Sequence, residues 1–486
     1  MLEVVKIVVM VTLKNYGRKF MSIFTRAFKR ESVDTYIQAD SHMSRVLTTR
    51  DLIGLGVGTV IGTGIFILPG HEAAQNAGPA VSVAFLIAAI FSGLSGMAFA
   101  EFSSSMPVAG SAYSYGTVIY GEIIGWLLGW SLILEYFLAV SAIATGFSAY
   151  LANLLTIFNV HMPKFLMAGP MEGGVINLFA VLIILLVTII LSRGLNASKK
   201  VENGAVILKV VILALFIVGG SFFVKHTNYV PFYPEEFRTG FLGLDGLWAA
   251  TASIIFAFLG FDTIAAHAAE VKDPQKTMAK GIIGTVAISA LLYVLFSIVL
   301  TGIVNYKKLG VDDPAAFALQ AIHQTQFSVV ITLGALVGMF TAILALIYAS
   351  SRLTYSFGRD GLLPRALGKI SKGSHLPVNA LIVAVIVESV LAGLIPLHTL
   401  ASLINAGTLL AFMFINFGIL FLRRRKDLPH DGFKVPGYPI VPFIAGIISL
   451  LLIAKLPSET LELFVLWLIL GTIWYFAYGI RHSKLS

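Results

Sequence analysis

The sequence predicts an all-α polytopic membrane protein with twelve transmembrane helices, the first and sixth of them interrupted. Three observations carry this prediction. Hydrophobic residues fill 57% of the 486 positions and charged residues only 12%, where soluble proteins carry about 25% charge. Twelve apolar stretches approach the ~20 residues needed to cross hydrocarbon. Two of them, at 54–69 and 255–262, are apolar enough for a bilayer but too rich in glycine to stay continuous helices. The mean hydropathy of +0.88 belongs to the same picture.

In chain order the spans are placed at 52–73, 80–101, 123–154, 175–192, 202–224, 247–269, 281–304, 328–351, 378–396, 400–422, 438–455 and 461–480. Residues 1–50 precede them as a cytoplasmic segment. Within it Met1–Leu13 is apolar but too short to span and lacks a signal-peptide cleavage site. The stretch 20–30 is basic and amphipathic, suited to lying along the inner membrane surface. Met21 offers an alternative start, so residues 1–20 read as a possible extension without functional weight. Spans 1–5 (51–224) and 6–10 (246–422) each open on an interrupted helix. Because five is odd, the second set enters from the opposite side, which makes an inverted repeat. Spans 11 and 12 (438–480) are peripheral additions, and 481–486 is a cytoplasmic tail. Between spans 7 and 8, Asp312-Asp313-Pro314 announces a short external helix, an N-cap followed by proline. After span 8, residues 359–369 read as a short loop and surface helix. No soluble domain is expected.

Orientation follows from lysine and arginine. With the N-terminus inside, 27 of the 34 lie on cytoplasmic segments, six outside and one, Lys209, within a span. The positive-inside rule therefore places both termini in the cytoplasm. The net charge of +9 is explained by anchoring to the inner leaflet, without nucleic acid. The chain has no cysteine, which excludes disulfides, thiolate catalysis and Cys-based metal sites.

Unwound backbone inside lipid is tolerable only where its N–H and C=O groups face a cavity or ligand. Glycine-interrupted spans at matching positions in two halves point to the binding site of a transporter. The second half of span 1 would begin with free N–H groups and a positive dipole end, suited to a carboxylate. Carbonyls freed at both breaks suit an ammonium group. Together they fit an α-amino acid, though the same geometry holds other anions or cations. Gly54/Gly58 and Gly58/Gly62 stand at GxxxG spacing, which equally reads as close helix packing. Gly62-Thr63-Gly64 reads as functional, because two glycines flank a polar residue in mid-membrane.

Ionisable residues inside a span are functional candidates by default. Four stand out: Glu135, Lys209, Asp262 and Glu388. Glu135 and Asp262 read either as pocket acids or as hydrogen-bond anchors of an unwound segment. Lys209 lies too deep for easy snorkelling, and desolvation of its cation makes it a candidate proton carrier. Glu388 has no assigned role.

At these residues the chain resembles the amino acid–polyamine–organocation superfamily, in particular bacterial permeases related to cationic amino acid transporters. The resemblance rests on GTVIGTGIF (58–66), PVAGSAYSY (107–115), GWSLILEY (129–136), FLGFD (258–262) and GRDGLLP (358–364), and runs from about residue 45 to the C-terminus. It implies the LeuT-like 5+5 inverted-repeat fold and proton-coupled uptake of amino acids. It puts Lys209 where relatives hold a sodium ion. It sets the substrate carboxylate on the N–H groups of Thr63, Gly64 and Ile65. The ammonium falls on carbonyls near Val60, Phe256, Ala257 and Leu259, with the Phe256 ring as a gate and Glu135 and Asp262 beside the pocket. Within the group, LTTRD (47–51), AGTLLAFMF (406–414) and LRRR (422–425) look most like Gram-positive branched-chain amino acid permeases.

The leading expectation is thus a proton-coupled importer of branched-chain or other neutral amino acids in the plasma membrane. Its partners are the amino acid, protons and the lipid bilayer, with no cofactor, metal or nucleic acid. A cationic amino acid transporter is the alternative, since Glu135 and Asp262 would suit a guanidinium or ammonium side chain. A receptor that binds without moving solute is the next. An intramembrane enzyme is disfavoured by the lack of HExxH, GxSxG and cysteine nucleophiles.

Overall fold

The computed structural model describes residues 26–33, 36, 45–108, 110–192, 199–371, 377–425, 427–428 and 431–484, without the side chains of 199–203 and 241. Met1–Leu13 and residues 20–25 of the basic N-terminal stretch lie outside the described residues. The described chain is helical throughout, and its one β-bridge pairs Leu47 with Val271.

Each expected apolar span coincides with helix. The first is split into α1 (Thr49–Val60) and α2 (Thr63–Glu72), and α3 (Val81–Ser105) follows. A helix not foreseen, α4 (Ser111–Tyr120), precedes α5 (Glu122–Ile157). Next come α6 (Leu178–Ser192), α7 (Lys199–Ser221) and the second split span, α8 (Asp245–Ile254) and α9 (Phe261–Ala266). The remainder are α10 (Pro274–Ile303), α11 (Pro314–Ala321), α12 (Thr325–Asp360), α13 (Val378–Leu394), α14 (Leu397–Leu422), α15 (Ile440–Ile453) and α16 (Ser458–Trp474). Among the described residues, eight helical stretches are long and apolar enough to cross a membrane, and α6, α13 and α15 are shorter apolar helices.

The short helix foreseen after Asp312 is α11, with Pro314 at its first position. The surface helix foreseen over 359–369 does not form. Helix α12 runs on to Asp360, Gly361 takes φ +85°, and the chain turns back through Pro364 and Leu367. Gly368 then lies against Gly358, too close for a side chain on either. Backbone contact with α12 thus replaces helix.

Helix α5 lies at the centre, against α4, α6, α12, α13 and α14, while α10 packs along α1 and α3. The outer helices turn apolar faces away from the protein: Leu182, Leu186 and Ile189 on α6, and Leu463, Leu466 and Leu470 on α16, are exposed. Such surface is stable facing lipid. Indole N–H groups pin α16 to α5, because backbone carbonyls are the acceptors at hand in an apolar layer. Trp130 donates to the Trp467 carbonyl at 2.9 Å, Trp467 returns a bond at 3.1 Å, and the two rings stack 4.4 Å apart.

Candidate functional site

The site grows from two failures of helix geometry. At the first, the Ile61 N–H still bonds the Val57 carbonyl, but the Gly62 N–H turns to Val60. The Gly58 carbonyl, which Gly62 would have served in a continuous helix, accepts instead from Lys209 Nζ at 2.6 Å. Lys209 is 2% exposed, so its head lies inside the protein and does not reach solvent. The Val60 carbonyl accepts from the buried Tyr293 hydroxyl of α10 at 2.8 Å. Helix α2 then starts at Thr63, capped by Gly62 without any side-chain bond. The first N–H groups of a helix have no partner inside it, and the Thr63 hydroxyl is buried without one as well.

At the second break α8 tightens into a 3₁₀ turn over Ile255–Phe258, closed by a bond from the Leu259 N–H to the Phe256 carbonyl at 3.1 Å. Gly260 takes φ +115°, a conformation closed to residues with a Cβ, and a Cβ there would stand 2.8 Å from Thr59. Asp262 turns a carboxylate oxygen back onto the Gly260 N–H at 3.2 Å, so it anchors the break it follows. Ser111 and Tyr115 of α4 hold the carbonyls of Asp262 and Ala265 at 3.3 and 3.4 Å. The motif at 107–115 thereby acquires a job: it braces α9.

The breaks face each other. A Cβ on Gly64 would lie 2.6 Å from Ala257 Cα, so the start of α2 rests on the 3₁₀ turn. Val60, Ile61, Thr63, Ile65, Phe256, Ala257 and Leu259 are all buried there. Glu135 of α5 is 1% exposed, interacts with Asp262 and Thr408, and leaves one carboxylate oxygen without a hydrogen bond. The structure thus gathers the expected residues at one place, with two amendments. The Val60 carbonyl already accepts two hydrogen bonds, from the Gly62 N–H and the Tyr293 hydroxyl, the Phe256 carbonyl accepts one, and Asp262 is committed to backbone. Lys209 stands at the first break, toward α1. Glu388 lies apart, between α5 and α12, where Ser141 donates to its carbonyl and Ser350 to its carboxylate.

Both ends of the site are shut. On one side the Leu47–Val271 bridge ties the segment before α1 to the segment after α9, with the Leu47 N–H on the Glu270 carbonyl at 3.0 Å. On the other, α11 presses on α2, and Tyr150 of α5 donates to the Phe66 carbonyl at 2.9 Å. Sequence reasoning missed Tyr293, since a tyrosine in an apolar span carries no pattern of its own. It also missed Glu101 of α3, which ends a span and forms a bidentate pair with Arg423 at 2.7 and 2.8 Å.

Apolar outer faces and two interrupted helices meeting at a buried polar centre define a multi-pass membrane protein. Residues 47–475 match the amino acid permease family, and the chain belongs to it. It is 44% identical over 462 residues to the branched-chain amino acid permease BcaP of Lactococcus lactis, covering 94% of this chain and 99% of that one. It is 42% identical to the methylthioribose transporter of Bacillus subtilis, with the same coverage of both chains. It is 36% identical to the vacuolar cationic amino acid transporter 2 of Arabidopsis thaliana, covering 81% of this chain and 62% of that protein.

Proposed function

We propose that this protein takes up branched-chain and other neutral L-amino acids across the plasma membrane, driven by protons. In this reading twelve helices cross the bilayer, the first ten as a LeuT-like 5+5 inverted repeat, and both termini are cytoplasmic. The observation that carries it is the junction of the two breaks at Gly64 and Ala257. There the unpartnered N–H groups of α2 suit a carboxylate, and carbonyls of Ala257 and Leu259 suit an ammonium group. The walls from Val60, Ile61, Phe256 and Leu259 suit an aliphatic side chain.

Lys209 is the proposed coupling group. Its bond to the Gly58 carbonyl links the charge state of α7 to the geometry of the first break. Losing a proton weakens that bond from a charge-assisted to a neutral one, which loosens α1 against α7. The bond of Asp262 to Gly260 favours neutral substrates, because that acid is occupied with backbone. A second reading, cationic substrates, is supported by the unpartnered oxygen of buried Glu135.

The test is uptake of labelled leucine by the purified protein in proteoliposomes, with and without an inward proton gradient. Gradient-dependent accumulation blocked by isoleucine and valine is expected. Leucine that binds but never accumulates means a receptor. Accumulation blocked by arginine alone means the cationic reading.

A further inference from the structure

Helix α11 covers the end of α2 remote from the Leu47–Val271 bridge. Its Pro314 sits so close to Gly70 that a Cβ there would approach to 2.3 Å. Asp313 occupies the N-cap of this lid but makes no capping bond. Its carboxylate turns away from its own helix and accepts from Asn153 Nδ2 of α5. Asn153 Oδ1 in turn accepts from Gln320 Nε2 at 2.7 Å, at the other end of the lid. Ser328, in the first turn of α12, approaches Gln320 and the Ala316 carbonyl, both at 3.2 Å. One asparagine therefore holds the lid by both ends, and one of those holds is a carboxyl group.

The surroundings disfavour charge on that group. Asp313 is half-buried, and no cation pairs with it among the described residues. Its neighbour Asp312 is exposed and acidic. Tyr150 of α5 is the other ionisable group facing it directly. His71 and Glu72 of α2, Glu172, and His398 at the head of α14 face the lid around Asp312. Helix α10 carries Lys276 and Lys280 in its first turns and no ionisable side chain from Val294 to Ile303, and α12 has none before Tyr348.

We propose that Asp313 is a proton-binding site of the lid: α11 closes over α2 with Asp313 protonated and releases when the proton leaves. This rests on the reading that α11 lies on the external side of a carrier. Burial, with Asp312 beside it, pushes the Asp313 carboxyl up to about 7 in the closed lid. In water it would sit near ~3.9. The closed lid thus binds the proton more tightly. Closure is fully supported below about pH 4, loses support as pH rises to about 7, and changes no further above.

The protein lacks cysteine, so a single thiol reports on the lid. Ala318 of α11 is fully buried on the inner face of the lid, and Lys308 is exposed. Full-length Ala318→Cys in nanodiscs is labelled with an impermeant maleimide from pH 5 to 8.5, normalised to Lys308→Cys to remove thiol ionisation. The expected ratio rises by up to tenfold per pH unit, levels off near pH 7, and is flat when Asp313→Asn is added. A ratio that is flat in the parent, or that rises equally in Asp313→Asn, overturns the proposal. Should Asp313→Asn fail to fold, Asn153→Ala serves. Removing the donor to the ionised form moves the plateau to higher pH, and an unmoved plateau overturns the proposal. The readout needs no substrate. Absence of leucine uptake with a pH-dependent lid therefore counts against the amino acid reading alone, and uptake with a flat ratio counts against this site alone.

Discussion

A Cβ on Gly64 would stand 2.6 Å from Ala257 Cα and 3.0 Å from Ala257 Cβ, so the two interrupted helices touch backbone to backbone. No other residue fits without moving one of them. Gly64→Leu is therefore expected to lower substrate affinity by on the order of 100-fold, as ~1 Å displacements in tuned sites do. Membrane insertion should persist, because the outer apolar faces are untouched. Scintillation-proximity binding to the purified, monodisperse variant measures this. Affinity equal to that of the parent would move the site elsewhere.

Lys209→Ala removes the donor to the Gly58 carbonyl and leaves Thr63–Ile65 and the 3₁₀ turn in place. Exchange of internal for external leucine should continue, while accumulation driven by a proton gradient is lost. A variant that still concentrates leucine under an inward gradient removes Lys209 from coupling.

Much of this was legible in the sequence. Glycine spacing in apolar stretches located both breaks, and Asp-Asp-Pro located the start of α11. Pairings across the fold were not legible, because they join residues far apart in the chain: Tyr293 with Val60, Ser111 with Asp262, Asn153 with Asp313. Nor was α4, which lies between the second and third spans in a stretch too short and too mixed for a span. The surface helix expected after α12 failed for the same kind of reason. Its local pattern lost to a backbone contact between Gly358 and Gly368.

Gly260 should tolerate alanine no better than Gly64 tolerates leucine. Its φ of +115° and the approach to Thr59 both oppose a Cβ, at a cost of about 1–3 kcal/mol. Gly260→Ala is expected to lower the melting temperature and the transport rate together. Unchanged values of both would mean that the break relaxes freely.

The pair of Arg423 with Glu101 fastens α14 to α3, and Glu101 also accepts from the Val435 N–H at 2.6 Å. Arg423→Leu strands a buried carboxylate. Stranding a fully buried ion costs 3–5 kcal/mol; partial exposure of Arg423 brings the expected loss to about 2–3 kcal/mol. The double variant Arg423→Leu, Glu101→Gln should recover part of it. Thermal unfolding in detergent compares the three, and a single variant as stable as the parent would show the pair to be dispensable.

In the proposed function, the junction of the two breaks holds a neutral amino acid. The most direct measurement is competition against labelled leucine in proteoliposomes at a fixed inward proton gradient. An apolar wall separates single methylenes by only ~1–3 kcal/mol. Isoleucine and valine should therefore displace leucine strongly, with methionine close behind, and arginine, lysine and methylthioribose should displace it weakly. Strong displacement by arginine or lysine, with none by isoleucine or valine, would mean that the junction binds cationic amino acids instead.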